Sequence, residues 1–74
     1  MKKEIERLQN QFQNILKGEI TIQQEKSDPY DSKSPRCYRI YAKLKNNEFI
    51  SVYGFCKNSK KLLEDFEEKL KEVR

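Results

Sequence analysis

Between Cys37 and Cys56 the chain runs CYRIYAKLKNNEFISVYGFC, and this stretch limits the folds open to it more than any other. β-Branched and aromatic residues are dense, apolar residues recur at every second position, and Asn46-Asn47 sits midway, where a tight turn needs residues that tolerate positive φ. The pattern predicts one antiparallel hairpin over residues 36–56. With Asn46 and Asn47 as a two-residue loop, the pleat sorts the side chains onto two faces. Tyr38, Ile40, Ala42 and Leu44 then share a face with Phe49, Ser51, Tyr53 and Phe55, and this drier face is expected to meet the core. Cys37, Arg39, Tyr41 and Lys43 share the other with Ile50, Val52, Gly54 and Cys56, expected to meet solvent or a partner. A slip of one residue would exchange the two faces.

The flanking segments supply the rest of a small α+β domain. Ile5, Leu8, Phe12, Ile15 and Leu16 recur at spacings of three and four, predicting a helix over residues 2–17 closed by Gly18 as a left-handed C-cap. Residues 19–25 read as a short edge strand with Ile20 and Ile22 facing in. Residues 26–35 contain Asp28-Pro29, Ser34-Pro35 and further turn formers, so they read as a long loop, either disordered or presenting Tyr30 as a contact residue. A second helix over residues 59–73, capped by Asn58 or Ser59, turns Leu62, Leu63, Phe66, Leu70 and Val73 inward. The expected architecture is α-β-β-β-α: a three-stranded antiparallel sheet with both helices packed on one face. Seventy-four residues make one domain with a marginal core. No apolar run approaches the roughly 20 residues of a membrane span, and Met1-Lys2-Lys3 leads into a charged helix, so a cytoplasmic protein without membrane contact is expected.

Charge is distributed unevenly. Residues 32–61 carry eight Lys or Arg against the single acid Glu48, whereas the flanking segments are net acidic and the whole chain is +4. A basic excess confined to the hairpin and its exit points to an anionic partner, either nucleic acid or an anionic protein surface. Catalysis is not expected. Histidine is absent, the carboxylates cluster near the front of the second helix where its dipole accounts for them, and only Gly18 and Gly54 are available for a phosphate loop. Two cysteines without histidine are too few for a structural zinc site, and neither a metal nor a cofactor is expected. In the two-residue-loop register Cys37 and Cys56 face each other across a hydrogen-bonded pair. That geometry could support a disulfide, but in a reducing compartment two free thiols are the expectation.

Two surfaces are candidates for contact. Arg39, Tyr41 and Lys43 alternate on the outward face beside Arg36 and Lys57, an arrangement of cations around an aromatic that suits single-stranded nucleic acid. Ser59-Lys60-Lys61 opens the second helix, where two ammonium groups join the positive dipole end as a phosphate clamp. The element order, and the segment from Tyr38 through Asn46-Asn47-Glu48-Phe49 to Ser59-Lys60-Lys61-Leu62-Leu63, resemble the double-stranded RNA-binding domain. That resemblance implies phosphate contacts by Lys60 and Lys61 across a major groove. The chain departs from the family pattern at Leu63, where a small alanine stands, at Glu64, where a further lysine stands, and at Asp28-Pro29-Tyr30, where a histidine-bearing loop is usual.

In size and layout the chain is also similar to small phage-encoded inhibitors of bacterial defence systems. This resemblance implies the alternative function, a protein-binding inhibitor or adaptor. Tyr30, Tyr41, Ile50 and Val52 would then form the contact surface. Either a monomer or a homodimer paired through an edge strand is compatible with the pattern.

Overall fold

The computed structural model describes residues 2–73. Its order is α1 (Lys2–Gln11), β1 (Thr21–Lys26), β2 (Arg36–Lys43), β3 (Phe49–Phe55), a single 3-10 turn (Cys56–Asn58) and α2 (Ser59–Glu72). The three strands form one antiparallel sheet in the order β1-β2-β3, and the fold is the expected α+β, α-β-β-β-α arrangement. One apolar cluster unites the layers: Leu8 from α1, Leu62, Phe66 and Leu70 from α2, and Ile40, Ala42 and Val52 from the sheet, with Leu16, Ile20 and Leu44 closing one end. Both helices therefore lie on a single face of the sheet. Among the described residues no layer covers the opposite face. No helix among the described residues is long and apolar enough to cross a membrane.

The hairpin register differs from the expected one by one residue, and the cause is the turn. Leu44 N–H donates to the Glu48 carbonyl (2.8 Å) and Asn47 N–H to the Leu44 carbonyl (3.0 Å), while Asn47 holds φ at 70°. The loop is thus Lys45-Asn46-Asn47, a type I turn followed by one left-handed residue, rather than Asn46-Asn47 alone. Asn46 stabilises it by accepting the Glu48 N–H on Oδ1 at 3.0 Å. With three loop residues, Ile40 faces Val52, Ala42 faces Ile50, Tyr38 faces Gly54 and Cys37 faces Phe55.

Every β3 side chain consequently changes face. Ile50 and Val52, expected outward, pack into the core, whereas Phe49, Ser51, Tyr53 and Phe55, expected inward, lie on the uncovered face. Gly54 turns toward α2, where a Cβ would lie 2.8 Å from Leu62 Cδ2, so the helix rests on the strand through the space glycine leaves.

The N-terminal segment departs from its helical periodicity. α1 ends at Gln11 instead of residue 17, and the chain turns as the Phe12 carbonyl accepts from Ile15 and Leu16 N–H. Leu16 then bridges Leu44, with Lys17 N–H donating to the Lys43 carbonyl and Lys45 N–H to the Ile15 carbonyl, both at 2.9 Å. Backbone pairing with the exposed end of β2 outweighs two more turns of a helix containing Asn14 and Ile15, which are indifferent helix formers. Gly18 accordingly is no left-handed cap.

Before β1 begins, the chain shifts two residues in register, from Leu16↔Leu44 to Thr21↔Tyr41. The backbone groups freed there are met by one side chain: Gln9 Nε2 donates to the Gly18 carbonyl (2.9 Å) and its Oε1 accepts from Ile20 N–H (2.7 Å). β1 spans residues 21–26 rather than 19–25; Ile20 is buried just before it and Ile22 sits half-covered at the sheet edge.

The segment between β1 and β2 is knit together internally. Ser27 N–H donates to the Pro35 carbonyl, Ser34 Oγ to the Asp28 carbonyl, and the Asp28 and Asp31 carboxylates accept from Tyr30 and Lys33 N–H. The two carboxylate bonds are Asx-type turns. α2 ends at Glu72, one residue short of the expected end, and Asn58 stands at its N-cap position without a capping side-chain bond. Arg7 joins α1 to α2 through Glu67 at 3.0 Å, and Lys69 Nζ donates to the Ser51 carbonyl at 2.9 Å on the outer edge of β3.

Candidate nucleic-acid interface

The uncovered face of the sheet collects the side chains that alternation sends away from the helices. β1 contributes Thr21, Gln23 and Glu25, β2 contributes Arg39, Tyr41 and Lys43, and β3 contributes Phe49, Ser51, Tyr53 and Phe55. The three aromatic side chains of β3 are exposed to different degrees: Phe49 is 65% exposed, Tyr53 52% and Phe55 41%. Burial in a core cannot be the reason for their presence, since none contributes to it.

Each ring has a cation beside it. The Arg39 guanidinium lies 5.3 Å from the centroid of Tyr53, the Lys43 ammonium 5.6 Å from that of Phe49, and the Lys57 ammonium 5.7 Å from that of Phe55. These distances are within the range where a ring quadrupole attracts a cation. The cross-strand register explains two of the pairs, because Arg39 stands opposite Tyr53 and Lys43 opposite Phe49. The third follows from the chain leaving β3 into the 3-10 turn that contains Lys57.

Glu25 is the acid on this face. It meets Arg39 at 3.3 Å with both side chains about half exposed, so the pair is worth at most about 1 kcal/mol and leaves the guanidinium available. Gln23 Nε2 donates to the Tyr41 hydroxyl at 3.4 Å.

Cys37 occupies the same face yet is buried, with Phe55 opposite on β3 and Glu25 opposite on β1. A hydrogen bond with its thiol, followed by desolvation and the nearby Cys37 and Glu25 charges, holds the Tyr53 phenol above the usual tyrosine range. Cys56 lies beyond the strand end, where Gln24 Nε2 approaches its sulfur at 3.7 Å. Both thiols are free, and Cys37 pairs with Phe55 rather than facing Cys56.

Of the residues singled out from the sequence, Arg39, Tyr41, Lys43 and Lys57 come together around this face. Arg36, the first residue of β2, is exposed opposite Lys26 at the end of the sheet. Lys60 lies in the helix layer, in a groove between α1 and α2 lined also by Glu4, Arg7, Glu64 and Glu67. Lys61 is exposed on the first turn of α2. Tyr30, at 97% exposure, lies on the loop between β1 and β2, away from this face. Ile50 and Val52 are core residues and do not form an outward apolar centre.

The sequence reasoning missed Phe49, Tyr53 and Phe55. The signal for them was present in Leu44-Lys45-Asn46-Asn47-Glu48, where a three-residue loop with the second asparagine left-handed fits as well as a two-residue one.

Comparison of the chain with protein-family models, with curated proteins and with solved structures returns no match.

Proposed function

We propose that the protein is a small, non-enzymatic nucleic-acid-binding module that uses the uncovered sheet face as its contact surface. One observation carries this reading: three solvent-exposed aromatic rings on a face without a covering layer, each with a Lys or Arg beside it. Aromatic faces accept bases whatever their identity, and neighbouring cations meet the phosphates that accompany them. Arg39, Lys43 and Lys57 would neutralise phosphates, with Arg36 extending the track at the strand end and Tyr41 adding a fourth ring.

The lysine pair at the start of α2 supports a weaker contact. Lys60 shares its groove with three carboxylates, which oppose a phosphate there, so the helix layer serves this reading less well than the sheet.

A salt series with labelled RNA and DNA oligonucleotides tests the assignment. Three phosphate contacts on a single strand give a log-log slope of about −2, and Arg39→Glu combined with Lys43→Glu should abolish retention. Binding that survives the double reversal, or no binding at low salt, would overturn it. Recovery of a stoichiometric protein partner after nuclease treatment would then favour the inhibitor or adaptor reading, with the β3 aromatics in place of Ile50 and Val52 as its anchors.

A further inference from the structure

The row of rings on β3 is interrupted at one position, and the interruption has a definite shape. Along a strand, alternate residues are about 6.8 Å apart, so Phe49, Ser51, Tyr53 and Phe55 form an evenly stepped line on the outer face. Ser51 is the small member. Over it opens a shallow concavity of about 400 Å³ bounded by Phe49, Tyr41, Gln23 and Arg39. An aromatic wall, a second aromatic wall, an amide and a guanidinium around a small floor is the chemistry of a nucleobase site: rings for its faces, and donors and an acceptor for its edge.

Resting on the reading above, we propose that this face takes single-stranded rather than duplex nucleic acid, and that the concavity over Ser51 holds one unstacked base. A base can lie on Phe49, Tyr53 or Phe55 only if one of its faces is free, and in a duplex interior both faces are covered by neighbouring pairs. The rings would thus be idle against a duplex. The cations beside them answer the charge of the strand that threads past. Gln23 supplies both a donor and an acceptor to the edge of the seated base, which gives that position a base preference that the open rings lack.

The test uses the full chain and a fluorescently labelled 12-nucleotide RNA, its DNA equivalent, and the corresponding duplexes, compared at one low salt concentration and then, for the single strand, across a salt series. The single strand should bind at least tenfold tighter than its duplex. Phe49→Ala and Tyr53→Ala should each weaken it by about tenfold. Ser51→Ile, which fills the concavity from an exposed position, should weaken binding by a similar factor with the salt slope unchanged, since no phosphate contact is removed.

Folding of each variant is checked by circular dichroism, and a scan of single abasic substitutions along the strand provides a readout that needs no variant. At least one abasic position should cost the parent protein about tenfold. A duplex bound as tightly as the strand overturns the single-strand inference and leaves the nucleic-acid reading standing. Single-strand binding that is indifferent to Ser51→Ile and to every abasic position overturns the base site. Absence of binding to all four probes removes both readings together.

Discussion

Gly54→Ala reads the hairpin register through the sign of a stability change. The new methyl carbon would sit 2.8 Å from Leu62 Cδ2, 3.5 Å from Cγ and 3.6 Å from Cδ1. Relief requires Leu62 to withdraw by roughly half an ångström or more from a site where it is buried against the core. Forcing an extra methyl into such a site costs about 1–3 kcal/mol. Against this stands the benefit of replacing glycine in a strand, about 0.4–1 kcal/mol, chiefly from a less disordered unfolded chain. At the midpoints of these ranges the net expectation is a loss of about 1.3 kcal/mol, or a fall of about 5–10 °C in Tm for a domain of this size. A chain of this length has on the order of 4–11 kcal/mol in hand, so the variant remains folded and measurable.

In the register with a two-residue loop Gly54 would face away from the helices, and the same substitution would stabilise. Leu62→Val supplies the control, because valine lacks both δ carbons that the new methyl meets. Urea denaturation of the four members of the cycle should show Gly54→Ala destabilising in the parent and neutral or favourable in the Leu62→Val background, a coupling of about 1–2 kcal/mol. Stabilisation by Gly54→Ala in the parent, or an equal loss in both backgrounds, would refute the placement of Gly54 beneath α2.

Asn47→Val should lose about 1–2 kcal/mol because a β-branched residue is forced to a φ of 70°, while Asn47→Gly should be neutral or mildly stabilising; equal effects in denaturation would remove the left-handed turn as the origin of the register. Tyr53 titrates above its ordinary range through its hydrogen bond with Cys37, so the folded state favours the protonated phenol. Its contribution to stability is complete below the usual tyrosine pKa of about 10 and is lost as pH rises through the elevated value. Cys37→Ala should return the Tyr53 ring signal in an NMR pH titration toward the ordinary range, and an unchanged midpoint would dismiss the thiol as the cause.

The hairpin strands, the two helices and the core residues of β2 and the helices were legible because each has a dominant period: two in the hairpin, and three to four in residues 2–11 and 59–72. What escaped depended on terms that period does not contain. Leu44 to Glu48 admits two loop lengths, and only the hydrogen bond from Leu44 N–H to the Glu48 carbonyl selects the longer, reversing the face of every β3 residue. Phe12, Ile15 and Leu16 satisfy a helical stripe as well as they satisfy the observed turn; the difference is made by the open end of β2, a long-range partner. On the candidate contact surface, Arg39, Tyr41 and Lys43 were readable from β2 alone, because its orientation is the same in either register. Phe49, Tyr53 and Phe55 were not, because large aromatic residues in a small domain are assigned to its interior unless the register forbids it.

The bond from Lys69 to the Ser51 carbonyl bears on how the sheet ends. β3 is an outer strand, and a carbonyl on its free side is where a strand from another molecule would begin to add, the first step toward ordered aggregation. The Lys69 ammonium already occupies that acceptor, and Asp65, Glu68 and Glu72 line the groove beside it. An arriving strand would have to displace the ammonium and enclose it with those carboxylates away from water, at a cost of several kcal/mol per charge left unpaired. Heating Lys69→Ala beside the parent tests this through the onset of light scattering; equal onsets would assign the protection elsewhere. Growth of the sheet past β3 is therefore opposed by a residue that belongs to the helix layer, and the edge needs neither proline nor a bulge of its own to remain closed.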